Sequence, residues 1–175
     1  VTDANGCVTS ESFVVEPPPL GVSVSGTDVS CNNGSDGTAT AVAEGGTGDY
    51  TYSWDNGGST ATITDLEAGT YTVSVFDGSE LVTGMITIEE PDATEVTVSV
   101  IDDSGASDGA IDITVSGGTP DYTFSWSNGE MTEDISGLSA GTYTVDVTDA
   151  NGCVTSESFV VESTQPPLEV SVSGT

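Results

Sequence analysis

The sixteen-residue sequence VTDANGCVTSESFVVE occurs twice, at residues 1–16 and again at residues 147–162. The residues that follow each copy are also alike, with PPPLGVSVSGT at 17–27 and PPLEVSVSGT at 166–175. Repetition at a fixed interval is the signature of tandem modules. We therefore expect the chain to be part of a longer array, beginning in the last hairpin of one module and ending in the first strand of another.

The pattern between the two copies predicts β structure. Leu20, Val22 and Val24 alternate with small or polar residues, which is the period of a half-buried strand. Turns rich in Gly, Asn and Asp separate six such segments in each module, as in an all-β sandwich. We expect tandem immunoglobulin-like Greek-key sandwiches that form an extended rod.

The proline-bearing linkers divide this array. Residues 1–18 form the C-terminal end of a preceding module with its linker, residues 19–91 the first full module and residues 92–166 the second. Residues 167–175 begin a following module. The two full modules correspond closely: GGTPDYTFSW at 117–126 matches GGTGDYTYSW at 45–54 at eight of ten positions.

The excess of acidic residues and the absence of basic ones exclude several classes of function. The chain has 29 acidic residues and no Lys, Arg or His, which gives a net charge of −29. Phosphate contacts need Lys or Arg, so nucleic acid is not an expected partner, and the same holds for anionic membrane surfaces. Catalytic triads lack their histidine base, and no enzyme activity is predicted. No apolar run is long enough to insert into a membrane.

Four aromatic residues receive structural roles. Trp54 and Trp126 lie in alternating segments and are expected at the centre of each core. Tyr71 and Tyr143 stand in Leu-x-Ala-Gly-Thr-Tyr-x-Val, which resembles the tyrosine corner of Greek-key sandwiches, where the hydroxyl bonds to nearby backbone. A platform of exposed aromatics for carbohydrate stacking is the alternative.

Taken together, these motifs resemble a known family. The run CNNGSDG at 31–37, the two Gly-Gly-Thr segments, AGTYTV at 68–73 and 140–145, and TDANGC at 148–153 are similar to the SprB-type repeat. Such repeats occur in tandem in very large surface adhesins of gliding Bacteroidetes, with a weaker likeness to PKD-type modules. The resemblance implies an extracellular adhesive or filamentous protein, and it supplies no catalytic residues.

The cysteines depart from that family, whose repeats often carry two each. If six strands run up and down, the first and last turns lie at the same end of a module, yet neither full module holds a cysteine in both turns. A bridge across a module boundary, between Cys7 and Cys31, is therefore expected, with the partner of Cys153 beyond the sequence. Free buried thiols and bridges between chains are the alternatives. A disulfide suits an extracellular setting.

Calcium is the predicted cofactor, because turn carboxylates, amides and carbonyls are ligands for hard cations. Asp36 and Asp77 are expected at one end of the first module, and Asp102, Asp103 and Asp108 together in the second. No EF-hand loop is present, and Asp and Asn are also common turn formers. The full set of candidate ligands is Asp3, Asn5, Asp36, Asp77, Asp102, Asp103, Asp108, Asp149 and Asn151.

The sequence thus predicts a structural repeat segment of a secreted cell-surface filament or adhesin stalk, of the kind used in gliding motility. Its expected partners are neighbouring modules of the same chain and other copies in a filament, which edge strands could join. The alternative is a calcium-dependent module that binds surface glycans or proteins.

Overall fold

The computed structural model describes residues 1, 4–8, 10–13 and 15–166, and over these it forms twelve strands. The strands of the first module are β1 (Gly21–Thr27), β2 (Gly37–Glu44), β3 (Thr51–Trp54), β4 (Thr62–Leu66), β5 (Gly69–Phe76) and β6 (Leu81–Ile88). Those of the second are β7 (Glu95–Ile101), β8 (Gly109–Ser116), β9 (Thr123–Trp126), β10 (Ile135–Leu138), β11 (Gly141–Thr148) and β12 (Val154–Val161). The segment at 167–175 lies outside the described residues.

Each module is a sandwich of two antiparallel three-stranded sheets. In the first module the sheet orders are β1-β2-β4 and β3-β5-β6, and in the second they are β7-β8-β10 and β9-β11-β12. This is the immunoglobulin arrangement of strands A-B-E against C-F-G, without strand D. The predicted fold class is therefore confirmed.

The alternating residues build one core in each module. Val73 and Val75 of β5, and Val145 and Val147 of β11, are fully buried between the sheets. The core of the first module includes Trp54, and that of the second includes Trp126. The two sandwiches thus have separate hydrophobic cores, as tandem modules require.

The chain does not run the length of the sandwich six times, once for each strand; such a run is called a pass below. β3 ends with Trp54 opposite Val73, in the middle of β5, and β4 begins with Thr62 opposite Thr40, in the middle of β2. β1 and β6 run in the same direction, because Leu20 N–H donates to Glu80 at one end and Val29 N–H to Glu89 O at the other. β3 and β4 therefore also run in the same direction, each for half a pass, in opposite sheets.

Five passes place the start and the finish of a module at opposite ends. The loop after β1 lies beside Glu89, at the C-terminal end, whereas the loop between β5 and β6 lies beside Leu20, at the N-terminal end. The prediction that the first and last turns share one end was wrong. An even number of passes would return the chain to its starting end, which does not suit an extended array.

The sequence predicts that the first copy of the repeated sixteen residues belongs to the last hairpin of a preceding module. Its described residues carry no named strand, and Phe13 and Val15 are exposed. A strand is held by hydrogen bonds to a neighbouring strand. In the second copy β11 supplies that neighbour along the whole of β12.

Candidate functional site at the joint between the modules

The joint between the modules consists of the linker 89–94, the loop after β1 (28–36) and the loop between β11 and β12 (149–153). A disulfide between Cys31 and Cys153 crosses it, with the two Cα atoms 5.7 Å apart. The side chain of Asn151 adds a hydrogen bond from Nδ2 to Ser30 O, at 2.9 Å. The first module's C-terminal end is thus tied covalently to the second module's N-terminal end.

This pairing corrects the predicted disulfides. Cys31 pairs with Cys153 and not with Cys7, and the partner of Cys153 lies within the chain. The prediction failed because it placed Cys31 at the N-terminal end of its module, whereas five passes place it at the C-terminal end. The bridge does cross a module boundary, but at the joint after the first module rather than before it.

Of the ends of the two modules, as far as the structure describes them, only the two that meet at this joint carry a cysteine. The loop at the N-terminal end of the first module is Asp77-Gly78-Ser79-Glu80, and the loop at the C-terminal end of the second spans 102–108, both without cysteine. Bridged and unbridged module ends therefore stand side by side in one chain.

The linker is held by both modules. Asn32 Nδ2 donates to Pro91 O at 3.0 Å, and Asn33 N–H donates to the Glu90 carboxylate at 2.7 Å. On the other side, Gly118 N–H donates to Asp92 O at 2.8 Å. A linker fixed by three bonds of this kind is a stiff connection rather than a flexible tether.

The Gly-Gly-Thr segment receives the linker in the same way in each module. Gly46 N–H donates to Pro18 O at 2.7 Å, which matches the bond between Gly118 and Asp92. The preceding glycine has a positive φ, +75° at Gly117, where a Cβ would collide with Ala93 O. Glycine is therefore required both for the backbone conformation and for the close approach of the linker.

A buried aspartate fixes each Gly-Gly-Thr segment. The Asp149 carboxylate accepts N–H bonds from Thr119, Asn151 and Cys153, all at 2.9 Å. These donors hold the pKa of Asp149 below its usual range, with the Thr119 amide as the largest cause. The carboxylate thus connects the cysteine-bearing loop to the segment that binds the linker.

Asp77 performs the same role in the first module. Its carboxylate accepts N–H bonds from Glu80, Thr47 and Ser79 at 2.6–2.8 Å. The Glu80 amide is the largest cause of its lowered pKa. In a chain without Lys, Arg or His, backbone N–H groups take the place of basic side chains as partners for buried carboxylates.

The unbridged C-terminal end of the second module is closed by a third buried aspartate. Asp103 accepts N–H bonds from Gly105 at 2.8 Å and from Ala140 at 3.2 Å, and the Gly105 amide is the largest cause of its lowered pKa. Its backbone carbonyl accepts the Thr164 N–H at 2.9 Å. Asp103 therefore connects its own loop to the outgoing chain.

One of the two predicted groups of calcium ligands is found: Asp102, Asp103 and Asp108 lie in one loop, where Asp103 accepts the Asp108 N–H at 3.4 Å. Asp36 lies at the C-terminal end of the first module and Asp77 at the N-terminal end, so that pairing was wrong. Asp36 accepts the backbone and hydroxyl groups of Ser30, and the hydroxyl is the larger cause of its lowered pKa. Asp108 makes the same two bonds with Ser104.

The other candidate ligands are also placed by hydrogen bonds. Asp102 accepts the Glu162 N–H at 2.9 Å, and Asp103 and Asp149 accept amides as described above. Among the described residues, no group of three or more acidic or Cys side chains is arranged to hold a metal ion. Asn5 lies in the first repeat copy, and Asp3 is outside the described residues.

The four aromatic residues occupy structural positions. The hydroxyls of Tyr71 and Tyr143 donate to Glu67 O at 3.0 Å and to Ser139 O at 2.9 Å, which is the local backbone bond of a tyrosine corner. Trp54 and Trp126 are each 3% exposed. Such buried rings offer no face to a sugar.

Sequence reasoning missed a second pair of tyrosine anchors. Tyr50 donates to Gly45 O at 2.7 Å, and Tyr122 donates to Gly117 O at 2.5 Å. The signal was present in the spacing Gly-Gly-Thr-x-x-Tyr, which is the same in both modules. These tyrosines brace the glycine segments that bind the linkers.

The family comparison agrees with this architecture. The model of the SprB repeat matches residues 23–59 and 104–131, one segment in each module. A segment of each module is therefore similar to the SprB repeat. A search of curated proteins found no match.

Solved immunoglobulin-domain structures give distant likenesses. Sidekick-1 immunoglobulin domains 1–5 are 14% identical, with a TM-score of 0.41 over 86% of this chain and 40% of that chain. DIP-gamma IG1+IG2 is 11% identical, with a TM-score of 0.46 over 85% of this chain and 99% of that one. The titin I-band fragment I67–I69 is 15% identical, with a TM-score of 0.45 over 86% and 66%. Because these scores are low, the immunoglobulin-like assignment rests on the strand order.

Within the residues that the structure describes, no part of the chain forms a helix with the length and apolar character needed to cross a bilayer.

Proposed function

We propose that this chain is a structural repeat segment of a secreted cell-surface filament or adhesin stalk. The observation that carries the proposal is the position of the two ends of each module. Because five passes separate the point where the chain enters from the point where it leaves, successive modules follow one another end to end. Length is then gained by adding modules, which is what a stalk or fibre needs.

The joint supports this proposal. A disulfide, a side-chain bond across the boundary and a clamped linker all restrict bending between the two modules. Domains joined only by a free linker would move independently. A restricted joint keeps the array extended, and its disulfide is compatible with an oxidising, extracellular location.

The surface also suits this role. A charge of −29 without basic residues keeps copies of the chain apart at low salt and soluble at high local concentration. The repeat family and the fold are those of structural modules, and we assign the chain no catalytic role.

Electron microscopy of the native full-length assembly, labelled with gold-conjugated antibody against the two modules, tests the proposal. Label along thin projections outside the cell is the expected result. Single-file rods that end in a distinct head would make the modules a stalk, whereas a helical fibre with contacts between chains would make them the polymer itself. Label confined to the cell interior would overturn the proposal.

The calcium-dependent alternative stays a prediction with its own test. Oxygen ligands from single carboxylates and carbonyls could still bind calcium without both of the groupings expected from the sequence. Melting temperatures measured with excess calcium and with a chelator decide it. Equal temperatures would count against a structural calcium ion, and a rise with calcium would support one.

A further inference from the structure

The disulfide changes which part of the chain can carry tension. Cys31 and Cys153 are 122 residues apart in sequence but are joined directly. Everything between them forms a closed loop, and a pull on the two ends of the chain cannot straighten a loop whose ends are covalently tied. This loop contains all the strands from β2 to β11.

Only the two outermost strands lie outside the loop. β1 precedes Cys31 and β12 follows Cys153, so a pulling force passes along β1, through the disulfide and out along β12. Both are edge strands, since β1 pairs only with β2 and β12 only with β11. Peeling away either strand therefore breaks the hydrogen bonds to one neighbouring strand only.

The extended lengths of the chain with and without the disulfide show how much of it the disulfide prevents from extending. At about 3.4 Å per residue, the chain from residue 20 to residue 166 could extend to about 50 nm if it were not bridged. With the bridge intact, only residues 20–31 and 153–166 can extend, to about 9 nm. The difference of about 41 nm is the length of the closed loop.

We infer that the Cys31–Cys153 disulfide makes the two modules one mechanical unit, in which ten of the twelve strands are shielded from tension. The joint is then an extension limit, since it confines any force-induced lengthening to the outer strands. This inference rests on the proposed function, because a stalk or filament is the setting in which such tension arises. The unbridged ends of the two modules provide no such limit.

Single-molecule stretching of the 175-residue chain, held by handles at its two ends, tests the inference. The oxidised protein is expected to release about 41 nm less contour length on full extension than the double variant Cys31→Ser/Cys153→Ser. Reducing the wild-type protein during the experiment should restore that length. Cys31 and Cys153 both line an open cleft of about 420 Å³ at the joint, through which a small reductant can approach.

Cys7→Ser is the matched control, because Cys7 and Cys153 have the same sequence on both sides. This variant should behave as the wild type does. Equal fully extended lengths of the oxidised wild type and the double variant would overturn the inference, even if the double variant were partly unfolded, since the final length does not depend on folding. A deficit of about 8 nm instead of 41 nm would mean that Cys7 pairs with Cys31, and would overturn it as well.

These outcomes are independent of the labelling experiment. Label inside the cell would reject the proposed function whatever the stretching shows. If the label lay on surface projections but the oxidised wild type extended as far as the double variant, the proposed function would stand and the extension limit would be rejected.

Discussion

The loops at the C-terminal ends of the two modules begin alike and then diverge. In each, an aspartate accepts an N–H from the end of the last strand, Asp28 from Glu89 and Asp102 from Glu162. The next residue is the buried Val29 in the first module and the buried Asp103 in the second. The first loop then carries Cys31, while the second has no cysteine and is two residues shorter.

This difference shows two ways to secure a module end. In the first loop, Val29 is buried in the core, and Cys31 forms a disulfide with the next module. In the second loop, the buried Asp103 carboxylate accepts hydrogen bonds from the N–H groups of Gly105 and Ala140. One end is therefore stabilised by its neighbour and the other by itself, although the same sandwich stands behind both.

Removing the bridge should have the largest effect. The double variant Cys31→Ser/Cys153→Ser is expected to lose about 5 kcal/mol of unfolding free energy, because a loop of this length is no longer closed in the unfolded chain. Urea unfolding measures the loss, with Cys7→Ser as the control. An unchanged midpoint would show that the first module's end does not depend on its neighbour.

Replacing Asp103 by the residue found at the corresponding position of the first module tests the self-stabilised end. Asp103→Val should lower the melting temperature by about 15 °C, because the amides that the carboxylate accepts lose their partner in a buried position. Asp112→Val is the control, since Asp112 is exposed on β8. If both variants melted alike, the two loops would be interchangeable and the contrast between them would fail.

The sequence predicted the strands and the cores because alternation reports local burial. Its limit is visible in the repeated sixteen residues. Val161, near the end of the second copy, is 1% exposed, whereas Val15, at the same place in the first copy, is 90% exposed. Identical residues differ because β12 has β11 beside it, and a pattern of residues cannot state whether such a neighbour is present.

The candidate site was harder to predict because it depends on chain direction. Counting six strands gave six passes, and this placed Cys31 at the wrong end of its module. The condition that an extended array needs an odd number of passes was available from the sequence and would have corrected the count. The amide bonds to Asp77 and Asp149 could not have been predicted, because turn aspartates also suit calcium or solvent.

A glycine pair tests the part that both modules share, the segment that receives the linker. Gly117→Ala should lower the melting temperature by about 10 °C, because a Cβ would meet Ala93 O as well as straining a positive φ. Gly129 has a φ of +91° but open space around it, so Gly129→Ala should cost only the backbone strain, about 5 °C. Equal losses would mean that the linker moves aside easily and that the joint is not clamped there.

The smallest effect should appear as a pH dependence at the bridged joint. Backbone amides lower the pKa of Asp149 in the folded protein, so its contribution to stability is present above the unfolded value of about 3.9 and is lost as pH falls below that value. Asp149→Asn places an amide group among N–H donors and should melt a few degrees below wild type at pH 7. The two melting temperatures should converge as pH falls below the lowered pKa of Asp149 in the folded protein, since the wild-type carboxyl is then protonated too. A difference that stayed constant across this range would assign the effect of the variant to packing, and the carboxylate would no longer explain how the cysteine-bearing loop is held against the linker.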